Sequence, residues 1–108
     1  RRHTRYPLVT GVQTCALPIC AFWRTPDGVE VDFFCETAQG YTAIEIKATT
    51  SWRPQYGRGI ARLVDELGSR KVRSFGVYLG GRETNDPPCR VLPVSDFLRL
   101  LWAGKVFG

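Results

Sequence analysis

The sequence lacks several features that would assign it quickly to a class. No apolar run approaches the ~20 residues that a membrane-spanning helix needs, and no G-x-x-x-x-G-K-[ST] loop is present to cradle phosphates. The one histidine is His3, and with Cys15 set aside in the irregular first stretch, Cys20, Cys35 and Cys89 are spaced too widely for a zinc pattern. There is no internal repeat and no low-complexity tract. A membrane span, a phosphate-binding loop, a zinc module and a solenoid are thereby excluded as readings. What remains is ordinary: 108 residues, 44% hydrophobic and 23% charged, enough for one domain. Cysteines so scattered are expected to be reduced thiols in a cytoplasmic protein with no membrane partner.

The basic excess is unevenly placed. Residues 1–19, RRHTRYPLVTGVQTCALPI, contain Arg1, Arg2 and Arg5 and no acid, and they follow no strand or helix period. The stretch VTGVQTCALPI resembles the translation of a common sequencing adapter. RRHTR is similar to the upstream part of that adapter, with Tyr6-Pro7-Leu8 in the place of a sample index. The resemblance implies that 1–19 is an artefactual segment fused to a metagenomic fragment, and that the domain runs over 20–108. A lipoprotein signal fails here, because Thr10, Gln13 and Thr14 interrupt its apolar region and Ile19 is too large before a lipobox cysteine. A basic nucleic-acid-binding arm is the other reading of this stretch. Residues 1–19 hold three of the 15 basic residues and none of the 10 acidic ones, so the net charge of the remainder falls from +5 to +2. Bulk basicity is then no argument for a nucleic-acid partner.

From residue 20 the pattern becomes regular. FWRT is a short aromatic strand, and Pro26-Asp27-Gly28 a turn. VEVDFFCE (29–36) alternates, with Val29, Val31, Phe33 and Cys35 on one face. YTAIEIKAT (41–49) alternates again after a hairpin loop at 37–40. A helix is predicted over 59–67, with Ile60, Leu63, Val64 and Leu67 inward and Gly68 at C′. VRSFGVYL (72–79) reads as a buried strand, and Val91-Leu92 as an edge strand closed by Pro93. Ser95 is expected to cap a last helix with Phe97, Leu98, Leu101 and Trp102 inward, stopped by Gly104. The order β-β-β-α-β-β-α, with a right-handed crossover through the first helix, predicts a mixed sheet in the α/β class bordering on α+β.

Pairing the hairpin symmetrically about its loop sets Asp32 opposite Glu45 and Glu30 opposite Lys47. These four should share the polar face while Val31, Phe33, Ile44 and Ile46 build the core. Two carboxylates ~5 Å apart repel by roughly 3 kcal/mol at an effective dielectric of about 20, which a lysine, a proton or a divalent cation must offset. A hard cation such as Mg²⁺ favours such oxygens and lowers the pKa of a bound water. Lys47 stands two residues from Glu45 on the same face, placed to orient that water.

Val31-Asp32-Phe33 followed by Glu45-Ile46-Lys47 resembles the D…E-x-K signature of the PD-(D/E)XK, or restriction-endonuclease-like, superfamily. More narrowly, FWRTPDGVEVDFFCE, AIEIKATTSWRP, GVYLGG and VLPVSDFL resemble the C-terminal domain of unknown function 4143 of bacterial and archaeal AAA-type ATPases. The resemblance covers nearly all of 21–108. It implies a truncated restriction-endonuclease-like core, Asp32 and Glu45 as metal ligands, and Lys47 as the catalytic lysine. ATP would bind only in the N-terminal part of the parent protein. The superfamily also draws an acidic residue from a helix before the first strand, where adapter-like sequence stands here.

Two functions follow from different classes. One is a regulatory or docking module for the ATPase part of its own parent chain, with a divalent-metal site. The other is a Mg²⁺-dependent nuclease domain acting on DNA or RNA. Arg58 and Arg62, at i and i+4, are placed either for phosphates or for carboxylates such as Glu66. Trp23, Trp52 and Trp102 are expected in the core or its rim rather than stacked on bases. Without the preceding helix, the face carrying Phe34, Tyr41 and Ala43 should be more exposed than in the parent protein, and the fragment inactive and prone to associate.

Overall fold

The computed structural model describes residues 19–68 and 70–107. His3, Cys15 and the rest of the adapter-like stretch up to residue 18 lie outside them. Ile19 does not: with Cys20 it opens the first strand, so regular structure begins one residue inside the stretch set apart.

The strands are β1 (Ile19–Arg24), β2 (Glu30–Thr37), β3 (Gly40–Ile46), β4 (Val72–Tyr78), β5 (Thr84–Asp86) and β6 (Cys89–Pro93). Helix α1 (Arg58–Leu67) follows a 3-10 turn over Pro54–Gly57, and α2 (Val94–Trp102) follows β6 directly. The sheet is mixed, in the order β1-β2-β3-β4-β6-β5. The first three strands are antiparallel neighbours, while β3–β4 and β4–β6 are parallel. The fold is thus a mixed α and β arrangement, with one helix on each side of the sheet.

The extra strand β5 comes from the Gly-rich loop, which doubles back on β6 as a hairpin around Pro87-Pro88. That places β6 inside the sheet, not at its edge as Pro93 had suggested. Pro93 instead begins the turn into α2 and holds the N-cap position, with Ser95 already inside the helix and no side-chain cap.

The hairpin register is the predicted one, with Phe33 opposite Ile44, Phe34 opposite Ala43 and Thr37 opposite Gly40. The alternation of β2 is not. On the β1 side, Ala21 pairs with Phe34 but Trp23 pairs with Val31, so Asp32 and Phe33 both stand opposite Phe22. This bulge inserts one residue and reverses the faces of everything before it. Val31 and Phe34 therefore pack on the same side, with Ala43, Ile60 and Leu63 under α1. The second core lies across the sheet, where Ile44, Phe75, Val77 and Leu92 meet Phe97 of α2 and Val106.

Two expectations about burial are corrected by this arrangement. Phe33 and Ile46, assigned to the core, are 45% and 47% exposed, because α2 packs on β4 and β6 and leaves their end of the sheet open. On the face expected to be opened by loss of the preceding helix, Ala43 is fully buried under α1, while Phe34 is half-buried and stacks on Tyr41 with ring centroids 5.1 Å apart.

On α2, the inward residues are Phe97, Leu100 and Leu101. Leu98 and Trp102 point away and are 43% and 83% exposed, against expectation. Gly68 ends α1 at φ 65°, a conformation open to glycine at little cost. Cys20 and Cys35, directly opposite in the β1–β2 ladder, form a disulfide, correcting the expectation that both are reduced. Cys89 is free and fully buried, and burial pushes its thiol up to about 12. A thiol so placed is unreactive. Among the described residues no helix is long and apolar enough to cross a membrane.

Candidate functional site

The bulge in β2 also ends the β2–β3 ladder. Paired residues run from Thr37–Gly40 to Phe33–Ile44 and stop there. Backbone groups past that point need other partners, and two carboxylates supply them. The Ile46 N–H donates to Asp32 Oδ2 at 2.9 Å, and the Asp32 N–H donates to Glu45 Oε1 at 3.4 Å. Asp32 and Glu45 thus clasp the two strands where the ordinary ladder fails.

Glu45 is held from its other side as well. Its strand continues in parallel with β4, pairing Glu45 with Gly76 and Ile46 with Val77. The Lys47 N–H extends that pairing to the Val77 carbonyl at 2.9 Å. The Lys47 ammonium then turns back to Glu45 Oε2 at 3.1 Å and lies 5.2 Å from the centre of the Tyr56 ring. Glu45 is only 7% exposed. Burial raises its carboxyl above the ordinary glutamate value; the hydrogen bond from Lys47 opposes this, and the charge of Asp32 adds to it.

Beside this group opens a cleft of about 370 Å³, lined among others by Glu30, Glu45, Lys47, Tyr56, Arg58 and Gly59. Its floor is the end of β3 and its wall is the start of α1. Gly59 lets that wall approach closely: a Cβ there would lie 2.0 Å from the Glu30 carbonyl oxygen.

The structure therefore brings Asp32, Glu45 and Lys47 together, with Arg58 across the cleft. Arg62 points elsewhere. It pairs with Asp27 at 3.0 Å and with Glu66 at 3.3 Å, and the Asp27 pair raises its pKa. Glu30 reaches the cleft but pairs with Arg24 at 3.6 Å rather than with Lys47, because it lies beyond the bulge. Among the described residues, no group of three or more His, Cys, Asp or Glu side chains is gathered as a metal centre would gather them.

Sequence reasoning missed Tyr56 and Gly59 as parts of this site. Their signal was present as a tyrosine and two glycines bracketing the helix start, a composition that favours close approach over helix formation. It also read Trp52 only as packing. Trp52 Nε1 donates to Asp86 Oδ2 at 2.9 Å, tying the connection after β3 to the β5–β6 hairpin.

No curated protein and no solved structure matches the chain. A family model does, over residues 12–97, from within the adapter-like stretch to the middle of α2. That family is described as Domain of unknown function (DUF4143), and the chain belongs to it.

Proposed function

We propose that this chain is a nuclease-like docking or regulatory module, the C-terminal part of an ATP-binding protein of the AAA type, rather than a working nuclease. One observation carries the reading: the carboxylates of the D…E-x-K group are engaged by the fold itself. One oxygen of Asp32 accepts the Ile46 N–H, and both oxygens of Glu45 are engaged, one by the Asp32 N–H and one by Lys47. A group so used closes a broken ladder, and its lysine neutralises the carboxylate that lies deepest.

The donor set still suits a divalent cation in kind. Carboxylate oxygens keep spare lone pairs, and Mg²⁺ is commonly held by one or two carboxylates with water. Asp32 and Glu45 are the residues that would hold it, and it would supply positive charge beside a phosphodiester.

The cleft favours the second reading, a Mg²⁺-dependent nuclease acting on DNA or RNA. Glu45, Lys47 and Arg58 share one open cavity. In that reading Lys47 orients a water and Arg58 meets a phosphate.

A cleavage assay on plasmid DNA and on RNA, with Mg²⁺ and with Mn²⁺, separates the two. No cleavage is expected. Cleavage that disappears in Lys47→Ala would overturn the docking reading and establish the enzyme.

A further inference from the structure

Lys47 is held from three sides. Its backbone is fixed to β4 by the bond to Val77, its ammonium lies 3.1 Å from Glu45 Oε2, and the centre of the Tyr56 ring stands 5.2 Å from the same nitrogen. Tyr56 is itself anchored. It sits in the 3-10 turn over Pro54–Gly57, where its N–H donates to the Arg53 carbonyl at 2.9 Å. Its ring meets that of Trp52 nearly at right angles, with centroids 5.4 Å apart. Trp52 in turn lies over Gly76, where a Cβ would fall 2.5 Å from the indole, and its Nε1 is tied to Asp86. A lysine on a solvated sheet face needs none of this, since an exposed ion pair is worth little and its partners move freely.

The ammonium also stands where a second cation would have to come. Glu45 is 7% exposed and gives Oε1 to the Asp32 N–H, so Oε2 is the oxygen left for a cation, and Lys47 has it. Asp32 keeps one oxygen, Oδ1, without a partner among the described residues. Two positive charges that share one carboxylate in a site so shielded from water repel strongly.

Resting on the docking reading above, in which the E-x-K lysine serves the fold, we propose that Lys47 is a built-in lock on this site: its ammonium takes the place of a divalent cation at Glu45, and Tyr56 is the positioning residue that keeps it there. Mg²⁺ or Mn²⁺ binds only by displacing Lys47 from Glu45 and from the Tyr56 ring. The exchange is one of ion partners alone, and the displaced ammonium moves out into the water of the cleft that Lys47 already lines. Trp52 and Asp86 join this autoinhibitory contact to the β5–β6 hairpin.

The probe is Mn²⁺ alone, its binding to the 108-residue chain followed by electron paramagnetic resonance at mildly alkaline pH. Lys47→Met removes the charge and keeps the length of the side chain, so it should bind Mn²⁺ at least about tenfold more tightly than the parent. Tyr56→Leu leaves the ion pair but removes the ring. A cation–π contact is worth roughly two- to thirtyfold in an equilibrium constant, so binding should tighten several-fold. Tyr56→Phe keeps the ring face and should bind like the parent. A second readout is acylation by an amine-reactive ester, located by mass spectrometry: Mg²⁺ should raise the labelling of Lys47 several-fold and leave Lys71 and Lys105 unchanged. Equal or weaker Mn²⁺ binding in Lys47→Met, no binding by any variant, or Lys47 labelling that Mg²⁺ does not change overturns the proposal. So does binding that survives Glu45→Gln in the Lys47→Met background, which places the cation elsewhere. If Lys47→Met does not fold, Tyr56→Leu and the labelling decide. The two readings fail separately: Lys47-dependent cleavage sinks the docking reading whatever the Mn²⁺ affinities are, and an affinity indifferent to Lys47, without cleavage, sinks only the lock.

Discussion

Gly59→Ala is the substitution with the clearest structural consequence, because the helix that forms the wall of the cleft rests there on bare backbone. An alanine Cβ would sit 2.0 Å from the Glu30 carbonyl oxygen, where real contacts do not fall below 3.0 Å, so α1 must retreat by about 1 Å. The retreat opens the contacts of Ile60 and Leu63, which are 0% and 1% exposed. Each is worth roughly 2–3 kcal/mol when fully buried, and a gap of that size forfeits about a quarter to a half of the contact energy. Forcing extra volume into a packed site costs ~1–3 kcal/mol by itself. The higher helix propensity of alanine returns at most ~1 kcal/mol. The balance is a loss of about 3 kcal/mol, or a fall in melting temperature on the order of 15 °C for a domain this size. Urea unfolding and calorimetry measure it, with Gly81→Ala as control. Nothing lies within 4 Å of a Cβ at Gly81, so that variant should stay within ~0.5 kcal/mol of the parent. A Gly59→Ala protein as stable as the parent would refute the close-approach argument, and with it the account of how α1 is held against Glu30 and the cleft.

Other outcomes follow from the same structure. Glu45 has a raised pKa in the fold, so the folded state takes up its proton before the unfolded chain does. The stability of the parent relative to Glu45→Gln should therefore increase as pH falls from neutral toward the ordinary value of 4.5, and urea midpoints across that window read it. An increase in the opposite direction would mean that Lys47, not burial, governs this carboxyl. Titration with Mn²⁺ should broaden the resonances of Asp32 and Glu45 first, and Asp32→Ala should remove the effect; broadening elsewhere would move the cation to another site. Reducing the Cys20–Cys35 bridge, which spans a sequence separation of 15, should cost up to about 3 kcal/mol by the chain-entropy account, measured by urea unfolding with and without dithiothreitol. No change in midpoint would show that strand pairing alone fixes β1.

Sequence by itself determined the hairpin register, the helix over 59–67 to within one residue together with its glycine stop, and the company of Glu45 and Lys47. Each depends on neighbours in the chain: a short loop sets which residues oppose, a 3.6-residue period sets which side chains share a helix face, and E-x-K puts two side chains on one side of a strand. Only the tertiary structure decided the rest. The bulge at Asp32 and Phe33 depends on how β1 pairs with β2, and that extra residue turned Val31 toward α1 and made Asp32 a substitute for a missing ladder bond. Whether Phe33 and Leu98 are core or surface was not legible in their hydrophobicity. It depends on where α2 lands, over β4 and β6, and on the hairpin of β5 with β6 that moved the expected edge strand inside. Burial is a property of what packs against a residue, and for these residues the packing partners lie far away along the chain.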